Sequence, residues 1–143
     1  MPTRTIHEVI EGRKAITTSS RTTVADAARL MKENTVSAIM IVDAGHLVGI
    51  FTERDIAYRV VAEDKNAKTT HVASAMTKKP RTIAPERPLG HALHMMYEGG
   101  FRHVPVVDKG HPVGMVSASD ALGPDLAQFR DELIDRDHIG EIL

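Results

Sequence analysis

The sequence predicts a mixed α/β (α+β) fold made of two pseudo-symmetric β-α-β-β-α repeats that pack through their sheets. Between Thr17 and Ile56, 11 of 40 residues are identical to the residue 65 positions later, and 6 of these identities fall between Val42 and Gly49. Strand-like and helix-like patterns follow in the same order in both copies. A unit of this size buries too little apolar surface to be stable alone, so we expect function where the two copies meet.

The first copy is predicted to contain a strand, a helix, a hairpin and a second helix. Thr23 is a typical N-cap residue, and the apolar residues after it recur at helical spacing as far as Asn34. The turn sequence Asp43-Ala44-Gly45-His46 lies between two β-rich runs and predicts a hairpin. The predicted elements are a strand at 15–18, a helix at 24–34, hairpin strands at 39–42 and 47–51, and a helix at 54–62.

The second copy repeats this order. Gly99-Gly100 predicts the end of its first helix, because glycine is favoured at helix C-termini. The polar run at 63–68 is the expected surface connection, and short helices are expected at 5–11 and 71–76. The predicted elements are a strand at 82–83, a helix at 88–98, hairpin strands at 104–107 and 113–116, and a helix from Ser119 onward. These patterns divide the chain into repeat 1 with its lead-in helix at 1–65, repeat 2 at 66–123 and a helical tail at 124–143.

Composition narrows the classes of function. The chain has 143 residues, 42% of them hydrophobic and 26% charged, and no apolar run approaches the roughly 20 residues of a membrane span. We therefore expect a cytoplasmic protein without membrane contact. A net charge of −1 and an aromatic content of 3% make nucleic acid an unlikely main ligand. The basic cluster Lys78-Lys79-Pro80-Arg81 is most simply solvated, but it could line a phosphate or contact nucleic acid.

A hydroxyl residue and an aspartate three positions later follow the last hairpin strand of each copy. They are Thr52 and Asp55 in the first copy and Ser117 and Asp120 in the second. Where a strand passes into a helix, free backbone N–H groups and the macrodipole favour an anion. A carboxylate there can accept two vicinal ribose hydroxyls, whereas the hydroxyl residue and the N–H groups face phosphate. The alternative is simple helix capping.

These segments resemble the cystathionine-β-synthase (CBS) domain, whose signature is an apolar-Pro-Val-apolar-Asp strand, a turn, and apolar-Gly-apolar-apolar-Thr/Ser-x-x-Asp. The run from Val104-Pro105-Val106-Val107-Asp108 to Asp120 fits throughout, and the run from Ile39 to Asp55 fits except that Met40 replaces the proline. The resemblance spans about Ile6 to Leu122. It implies a tandem pair, often called a Bateman module, that binds adenosine-containing ligands in clefts between the copies.

The resemblance also implies roles for individual residues. Ribose would bind Asp120 and Asp55, and the hydroxyl or phosphate contacts would come from Ser117, Ser119, Thr52, Arg54, Arg102 and His103. Because Arg102-His103 precede the hairpin of the second copy, where the first copy has Ser37-Ala38, the second copy is the better equipped for phosphate. The positions that match the family's adenine slot, each of which could instead be plain core, are Thr17, Thr18, Thr82, Ile83, Ile39, Val104, Ile50 and Met115.

The function implied is a non-catalytic sensor that binds AMP, ADP or ATP, with S-adenosylmethionine and NAD(H) as alternatives and Mg²⁺ possible beside ATP. Such modules commonly pair into a disc of four repeats, so a homodimer and an effector protein are the expected partners. The alternative is a dimeric interaction scaffold with vestigial pockets. The chain has no cysteine, no Gly-x-Ser-x-Gly elbow and no marked carboxylate pair, so an enzyme is not expected. The eight histidines, including His91, His94, His46 and His111, lack tightly spaced co-ligands, so no metal is expected either.

Overall fold

The computed structural model describes residues 4–142, with side chains described as far as residue 135. The predicted bounds at residues 1–3 and at Leu143 lie outside the described residues. The helices are α1 (Ile6–Ile10), α2 (Val24–Asn34), α3 (Glu53–Asp55, continued as a π-helix over Ile56–Val61), α4 (Leu89–Gly99) and α5 (Gly123–Ile142). The strands are β1 (Thr17–Thr18), β2 (Ala38–Asp43), β3 (His46–Thr52), β4 (Thr77–Lys78), β5 (His103–Asp108) and β6 (His111–Ser117), and single 3₁₀ turns cover Val72–Ser74 and Ala118–Asp120.

The predicted fold class is confirmed, and a long helix followed by a hairpin recurs in the same order in both copies. Thr23 caps α2 as expected, because its Oγ1 accepts a hydrogen bond from the Asp26 N–H at 3.2 Å. At the end of α4, Gly100 adopts a left-handed conformation with φ 71°, which glycine tolerates without strain. The sequence therefore located the two long helices of the repeats through their local capping residues.

The two hairpins are near copies of each other. Each turns through two residues with positive φ, Ala44-Gly45 and Lys109-Gly110, as a type I′ turn requires. Each ladder also shifts register at the same place, between Ile41 and Val42 in β2 and between Val106 and Val107 in β5. The first hairpin belongs to a four-stranded sheet of order β1-β2-β3-β4 and the second to a two-stranded sheet. The two sheets meet where β3 contacts β6.

The predicted strand at 82–83 is wrong in extent. Ile83 forms a single parallel bridge to Val106, in which its N–H donates to the Pro105 carbonyl at 3.1 Å. The next donor of a parallel ladder on the same side would be residue 85, and Pro85 has no N–H to give. An unpredicted strand, β4, lies earlier in the chain and pairs with β3 instead.

The predicted helix from Ser119 onward is also wrong at its start. After the 3₁₀ turn at Ala118–Asp120, the backbone is extended at Ala121, and α5 begins only at Gly123. A continuous helix would need residue 124 to donate to the Asp120 carbonyl, but Pro124 has no N–H. Arg4 Nη2 donates to that carbonyl instead, at 2.9 Å.

The lead-in segments are exchanged between the two hydrophobic cores. Ile6, Val9 and Ile10 of α1 pack in the core that contains α4, β5 and β6. In return, Val72 and Ala75 pack with Phe51 in the core of the first copy. The residues of the two hydrophobic cores therefore alternate along the chain. The division into repeats at residue 65 remains a prediction.

Candidate functional site

Two clefts lie where the repeats face each other, and each contains one of the two motif aspartates. The Asp55 cleft has a volume of about 490 Å³ and the Asp120 cleft about 280 Å³. The Asp55 cleft is lined by Ser37, Ile50, Thr52, Glu53, Arg54, Asp55, Tyr58, Arg59, Thr77, Lys79, Pro80, Arg81, Gly100, Phe101, Arg102 and His103. The Asp120 cleft is lined by Arg13, Lys14, Ala15, Ile16, Thr35, Val36, Ser37, Ala38, Met40, His103, Gly114, Met115, Ser117, Ser119 and Asp120.

Asp55 is held in place by the start of α3. Its Oδ2 accepts a hydrogen bond from the Thr52 N–H at 3.0 Å, and its own N–H donates to Thr52 Oγ1 at 3.2 Å. This reciprocal capping box is the local reason for the Thr-x-x-Asp spacing. The other oxygen, Oδ1, lies 3.4 Å from Thr77 Oγ1 and 3.7 Å from Arg59 Nε. The residue is only 7% exposed, so a buried carboxylate oxygen with loose partners faces the cleft.

The Asp55 cleft is strongly cationic. Five arginine and lysine side chains line it, and the acidic residues of the lining are Glu53 and Asp55. The cations come from three places in the chain: the α3 region supplies Arg54 and Arg59, the segment after β4 supplies Lys79 and Arg81, and the segment before β5 supplies Arg102. Charges of one sign gathered in a concave site raise the local concentration of anions. The arrangement therefore fits a ligand with several negative charges.

Two of these cations also have structural partners. The Arg54 guanidinium lies 5.1 Å from the centroid of the Tyr58 ring, a cation–π contact. Arg59 Nη1 donates to the Met76 carbonyl at 2.8 Å, which ties the π-helical segment to the start of β4. Arg102 and Lys79 are exposed, so their side chains can reach a ligand without losing buried contacts.

The Asp120 cleft is smaller and less cationic than the Asp55 cleft. Asp120 Oδ2 accepts from the Ser117 N–H at 2.8 Å, as Asp55 does from Thr52. Its Oδ1 accepts from Arg13 Nη1 at 2.8 Å. Ser117 Oγ and Ser119 Oγ share a hydrogen bond of 2.7 Å. In this cleft the carboxylate is already bound to a cation of the chain itself.

His103 lies between the two clefts and borders both. Its Nε2 is 3.0 Å from Ser37 Oγ, so the first residue of β5 contacts the residue that precedes β2. Burial lowers the pKa of His103, and the positive charge of Arg102 lowers it further, while the carboxylates of Glu53 and Asp120 act in the opposite direction. The neutral imidazole is therefore favoured when the clefts contain no ligand.

The expected grouping of Arg102 with Asp120 is wrong. Arg102 lines the Asp55 cleft, and His103 borders both clefts. The reason is that the repeats face each other, so the segment before β5 projects toward the first copy's motif. The same crossing brings Ser37 and Ala38 to the Asp120 cleft. The Asp55 cleft is therefore lined by five arginine and lysine residues, whereas the Asp120 cleft is lined by two.

The positions expected to form the adenine slot are divided between cleft and core. Ile50 lines the Asp55 cleft and Met115 the Asp120 cleft. Ile39 and Val104 are fully buried in the two hydrophobic cores, as the alternative interpretation held. Thr17 and Thr18 are not among the lining residues of either cleft, and Thr82 and Ile83 border a separate groove beside His91 and His94.

Sequence reasoning missed the residues that the exchanged lead-in segments contribute. Thr77, Lys79, Pro80 and Arg81 line the Asp55 cleft, and residues 13–16 line the Asp120 cleft. The signal available in the sequence is the basic cluster at 78–81, which could line a phosphate. Its placement beside Asp55 depends on the exchange of lead-ins, which no local pattern reveals.

The histidines have contacts within the chain. His94 Nε2 lies 2.6 Å from Glu132 Oε2, and His46 stacks on His111 with ring centroids 5.8 Å apart. The part of the chain that the structure describes contains no group of three or more histidine, cysteine or acidic residues placed to hold a metal ion. Within the same residues, no helix combines the length and the apolar character needed to span a membrane.

Comparison with known proteins gives consistent matches. A family model of the CBS domain matches residues 6–62 and 72–123. CBS domain-containing protein CBSCBSPB1 of Arabidopsis thaliana is 34% identical over 117 residues, which are 81% of this chain and 22% of that protein. The chain thus spans about a fifth of the length of this relative. CBS domain-containing protein YhcV of Bacillus subtilis is 36% identical over 104 residues, which are 73% of this chain and 74% of that protein.

A solved structure with the same fold is the CBS domain pair of protein MJ0100 in complex with 5′-methylthioadenosine and S-adenosyl-L-methionine. It is 30% identical in sequence and superposes with a TM-score of 0.75. The match covers 83% of this chain and 93% of that one. The likeness therefore includes both repeats.

Proposed function

Because this chain belongs to the CBS domain family, and carries two copies of the domain, we propose that it is a regulatory module whose Asp55 cleft binds an adenine nucleotide. The observation that carries the proposal is the combination in one cleft of a buried carboxylate with loosely held Oδ1 and five cationic side chains. The carboxylate suits the vicinal hydroxyls of a ribose, and the cations suit phosphate. AMP, ADP or ATP combines both groups in one molecule.

The geometry supports a single orientation of the ligand. The ribose would lie against Asp55 and the hydroxyls of Thr52 and Thr77, where the motif ends β3. The phosphates would extend toward Arg102 and Arg81, whose planar guanidinium groups can donate two parallel hydrogen bonds to phosphate oxygens. The base would contact the apolar side chains in the same cleft, Ile50, Pro80 and Phe101.

Charge favours a phosphorylated ligand over a cationic one. S-adenosylmethionine carries a positive sulfonium, which the five cations of the Asp55 cleft would repel. NAD(H) carries two phosphates and remains compatible with the same groups. The MJ0100 pair shows that a related structure binds adenosyl compounds without phosphate, so the choice is made by the residues around the ribose site and not by the fold. With ATP, a bound Mg²⁺ would share the neutralisation of the phosphates with the arginines.

Signalling to a partner protein would follow from the contact of one ligand with three separate segments of the chain. The cleft is assembled from the α3 segment, the segment after β4 and the segment before β5, which belong to both interleaved units. A nucleotide that contacts all three stabilises one relative position of the repeats. The resulting shift can be no larger than the difference in affinity of the ligand for the two arrangements.

We also propose a homodimer built on the helices that follow the two motifs. Tyr58 and Val61 are 61% and 67% exposed on the α3 segment, and Leu122 and Leu126 are 57% and 50% exposed around the start of α5. Exposed apolar side chains gathered after both motifs are typical of an interface between copies. Two chains joined there would present four repeats in one assembly.

Isothermal titration of nucleotide-free protein with ATP, AMP, adenosine and S-adenosylmethionine tests the ligand proposal. Asp55→Asn should weaken ATP binding about 10- to 100-fold, because hydrogen bonds to a charged group contribute about 1.5–3 kcal/mol. Arg102→Ala should weaken ATP binding about tenfold and leave adenosine binding unchanged. Lys109→Ala, an exposed change in the second hairpin turn, is the matched control and should have no effect.

Two results would remove this assignment. A 10- to 100-fold loss of ATP affinity in Asp120→Asn, with no loss in Asp55→Asn, would place the nucleotide in the Asp120 cleft. A native chain that binds none of the four compounds, although folded and free of carried-over nucleotide, would favour a dimeric scaffold with vestigial pockets.

A further inference from the structure

The N-terminal segment of the chain holds the backbone and the side chain of Asp120. Arg4 Nη2 donates to the Asp120 carbonyl at 2.9 Å and to Asp125 Oδ2 at 2.7 Å. Arg13 Nη1 donates to Asp120 Oδ1 at 2.8 Å. Two arginines on either side of α1 therefore fix the motif end of β6 and the start of α5 together.

The first copy has no equivalent of this contact. The residue 65 positions after Arg13 is Lys78, which lies on β4 and is not among the residues that line either cleft. The cation nearest to Asp55 in the described part of the chain is Arg59, whose Nε is 3.7 Å from Oδ1 and whose Nη1 is committed to the Met76 carbonyl. At 2.8 Å, the bond from Arg13 is a charge-assisted hydrogen bond, whereas the contact of Arg59 is a loose ion pair.

This difference decides which carboxylate can accept hydroxyl groups of a ligand. In Asp120, Oδ2 is used by the Ser117 N–H and Oδ1 by Arg13, and the side chain is only 11% exposed. A ribose hydroxyl that approaches Oδ1 from the direction of Arg13 displaces the guanidinium. The Arg13 side chain is 49% exposed, so its guanidinium can turn into solvent and stay hydrated, while the ribose hydroxyls take its place on the Asp120 carboxylate.

We infer that Arg13 competes with the ribose for Asp120, so that the chain has one open adenosine site and one latent site that opens when the N-terminal segment releases this carboxylate. The inference rests on the proposed function for the chemical class of ligand, an adenosine compound with free ribose hydroxyls. The latent site has two arginine and lysine residues in its lining against five in the Asp55 cleft, so it suits a nucleoside or a thioether nucleoside better than a triphosphate.

Occupation of the latent site is linked to the position of the N-terminus. Arg4 and Arg13 lie on one segment with α1 between them, and Arg4 holds the start of α5 through Asp125. Displacement of Arg13 by a ligand therefore removes one of the polar contacts between this segment and the second motif. By reciprocity, any contact that draws the segment away increases the affinity of the latent site by the same factor.

Titration with adenosine in an Asp55→Asn background tests the inference, because this background removes the open site. Adding Arg13→Ala should tighten adenosine binding about tenfold, a factor between those expected for an exposed ion pair and a buried charged hydrogen bond. A third change, Asp120→Asn, should abolish the gain. Lys32→Ala, which removes an exposed cation of α2 that lines neither cleft, is the matched control and should leave the affinity unchanged.

The outcomes separate this inference from the proposed function. Unchanged adenosine affinity after Arg13→Ala overturns the inference, and a lower affinity overturns it as well, since Arg13 would then be a ligand-binding residue. Adenosine binding that appears with Arg13→Ala and disappears with Asp120→Asn supports it even if native protein binds no ATP and the proposed function fails. If no variant binds adenosine at millimolar concentration, the latent site does not exist.

Discussion

Asp55 and Asp120 show how identical residues at equivalent positions acquire different chemistry. Both carboxylates accept a backbone hydrogen bond from the hydroxyl residue three positions earlier. Their second oxygens differ, because one faces Thr77 and Arg59 at 3.4 and 3.7 Å, whereas the other is bonded to Arg13 at 2.8 Å. Local sequence fixes the capping bond, and residues remote in sequence decide whether the remaining oxygen is free for a ligand.

His103 provides a prediction at the scale of one residue. Burial, with a contribution from Arg102, lowers its pKa, so the unfolded chain binds this proton more readily than the native one. The contribution of His103 to stability is therefore present above the ordinary histidine pKa of about 6.5 and is lost as the pH falls through the native value. A bound phosphate adds negative charge and raises the pKa of His103 again, so ATP binding near pH 6 should take up a fraction of one proton.

Titration calorimetry in two buffers of different ionisation enthalpy measures this proton uptake. The uptake should be smaller for His103→Gln, and the control His7→Gln, an exposed residue of α1, should behave as native protein. The uptake should vanish at pH 8. Equal proton uptake in native protein and His103→Gln at pH 6 would show that the proton goes to the nucleotide or to another group.

At the scale of elements, the motif glycines permit the exchange of lead-in segments. A Cβ at Gly49 would meet the Met76 side chain and lie 3.0 Å from the Thr77 carbonyl oxygen. A Cβ at Gly114 would lie 3.0 Å from Ile10 Cδ1 of α1. Each glycine thus sits where the other copy's lead-in crosses a hairpin strand. Both motif glycines therefore allow close packing of the lead-in segments, and they affect the clefts only through this packing.

Gly49→Ala should destabilise the protein by about 1–3 kcal/mol, because the added methyl overpacks a site bounded partly by backbone. Gly90→Ala is the matched control, since its Cβ would meet nothing within 4 Å and alanine favours the helix α4. The control should be neutral or more stable by up to about 1 kcal/mol. Chemical unfolding followed by circular dichroism measures both changes.

The shape of the unfolding curve of Gly49→Ala shows whether the two repeats unfold together. Because the cores exchange segments, loosening β4 affects both repeats, and we expect a single transition with an unchanged slope. Two separated transitions would contradict the idea that the interleaved units unfold together. A stability equal to that of the native chain would contradict the close packing at Gly49.

At the scale of the whole molecule, the proposed homodimer depends on apolar side chains that this chain leaves exposed. Val61→Asp places a charge on the exposed side of the α3 segment, where Val61 is 67% exposed. Burying an unpaired charge in an interface is costly, so the variant should be monomeric. Light scattering should give twice the chain mass of 15.6 kDa for native protein and the single-chain mass for the variant.

Val113→Asp is the control for the oligomeric state, because Val113 is 40% exposed on β6, away from the helices that follow the motifs. It should remain dimeric. A native chain that is monomeric at micromolar concentration, or a Val61→Asp variant that stays dimeric, would exclude an interface at this position.

The sequence by itself determined the repeat, the hairpins, the capped helices and the two Thr/Ser-x-x-Asp motifs. Each of these depends on residues close together in the chain: a hydroxyl residue at an N-cap, a glycine at a helix end, or positive φ at Ala44-Gly45. It also gave the family resemblance, because the signature is a contiguous run. Two predictions from the repeat pattern were wrong at prolines. The strand at 82–83 does not extend past Pro85, and the helix from Ser119 is interrupted before Pro124, because proline has no N–H to donate.

Only the tertiary structure decided how these parts combine into sites. The lead-ins cross to the opposite core, so Lys79 and Arg81 meet Asp55, and Arg13 meets Asp120. Arg102 crosses in the same way and lines the Asp55 cleft instead of the Asp120 cleft. The physical reason is that a repeat pattern describes one unit, whereas the contacts between units depend on how two curved sheets and their connecting segments bury apolar surface against each other.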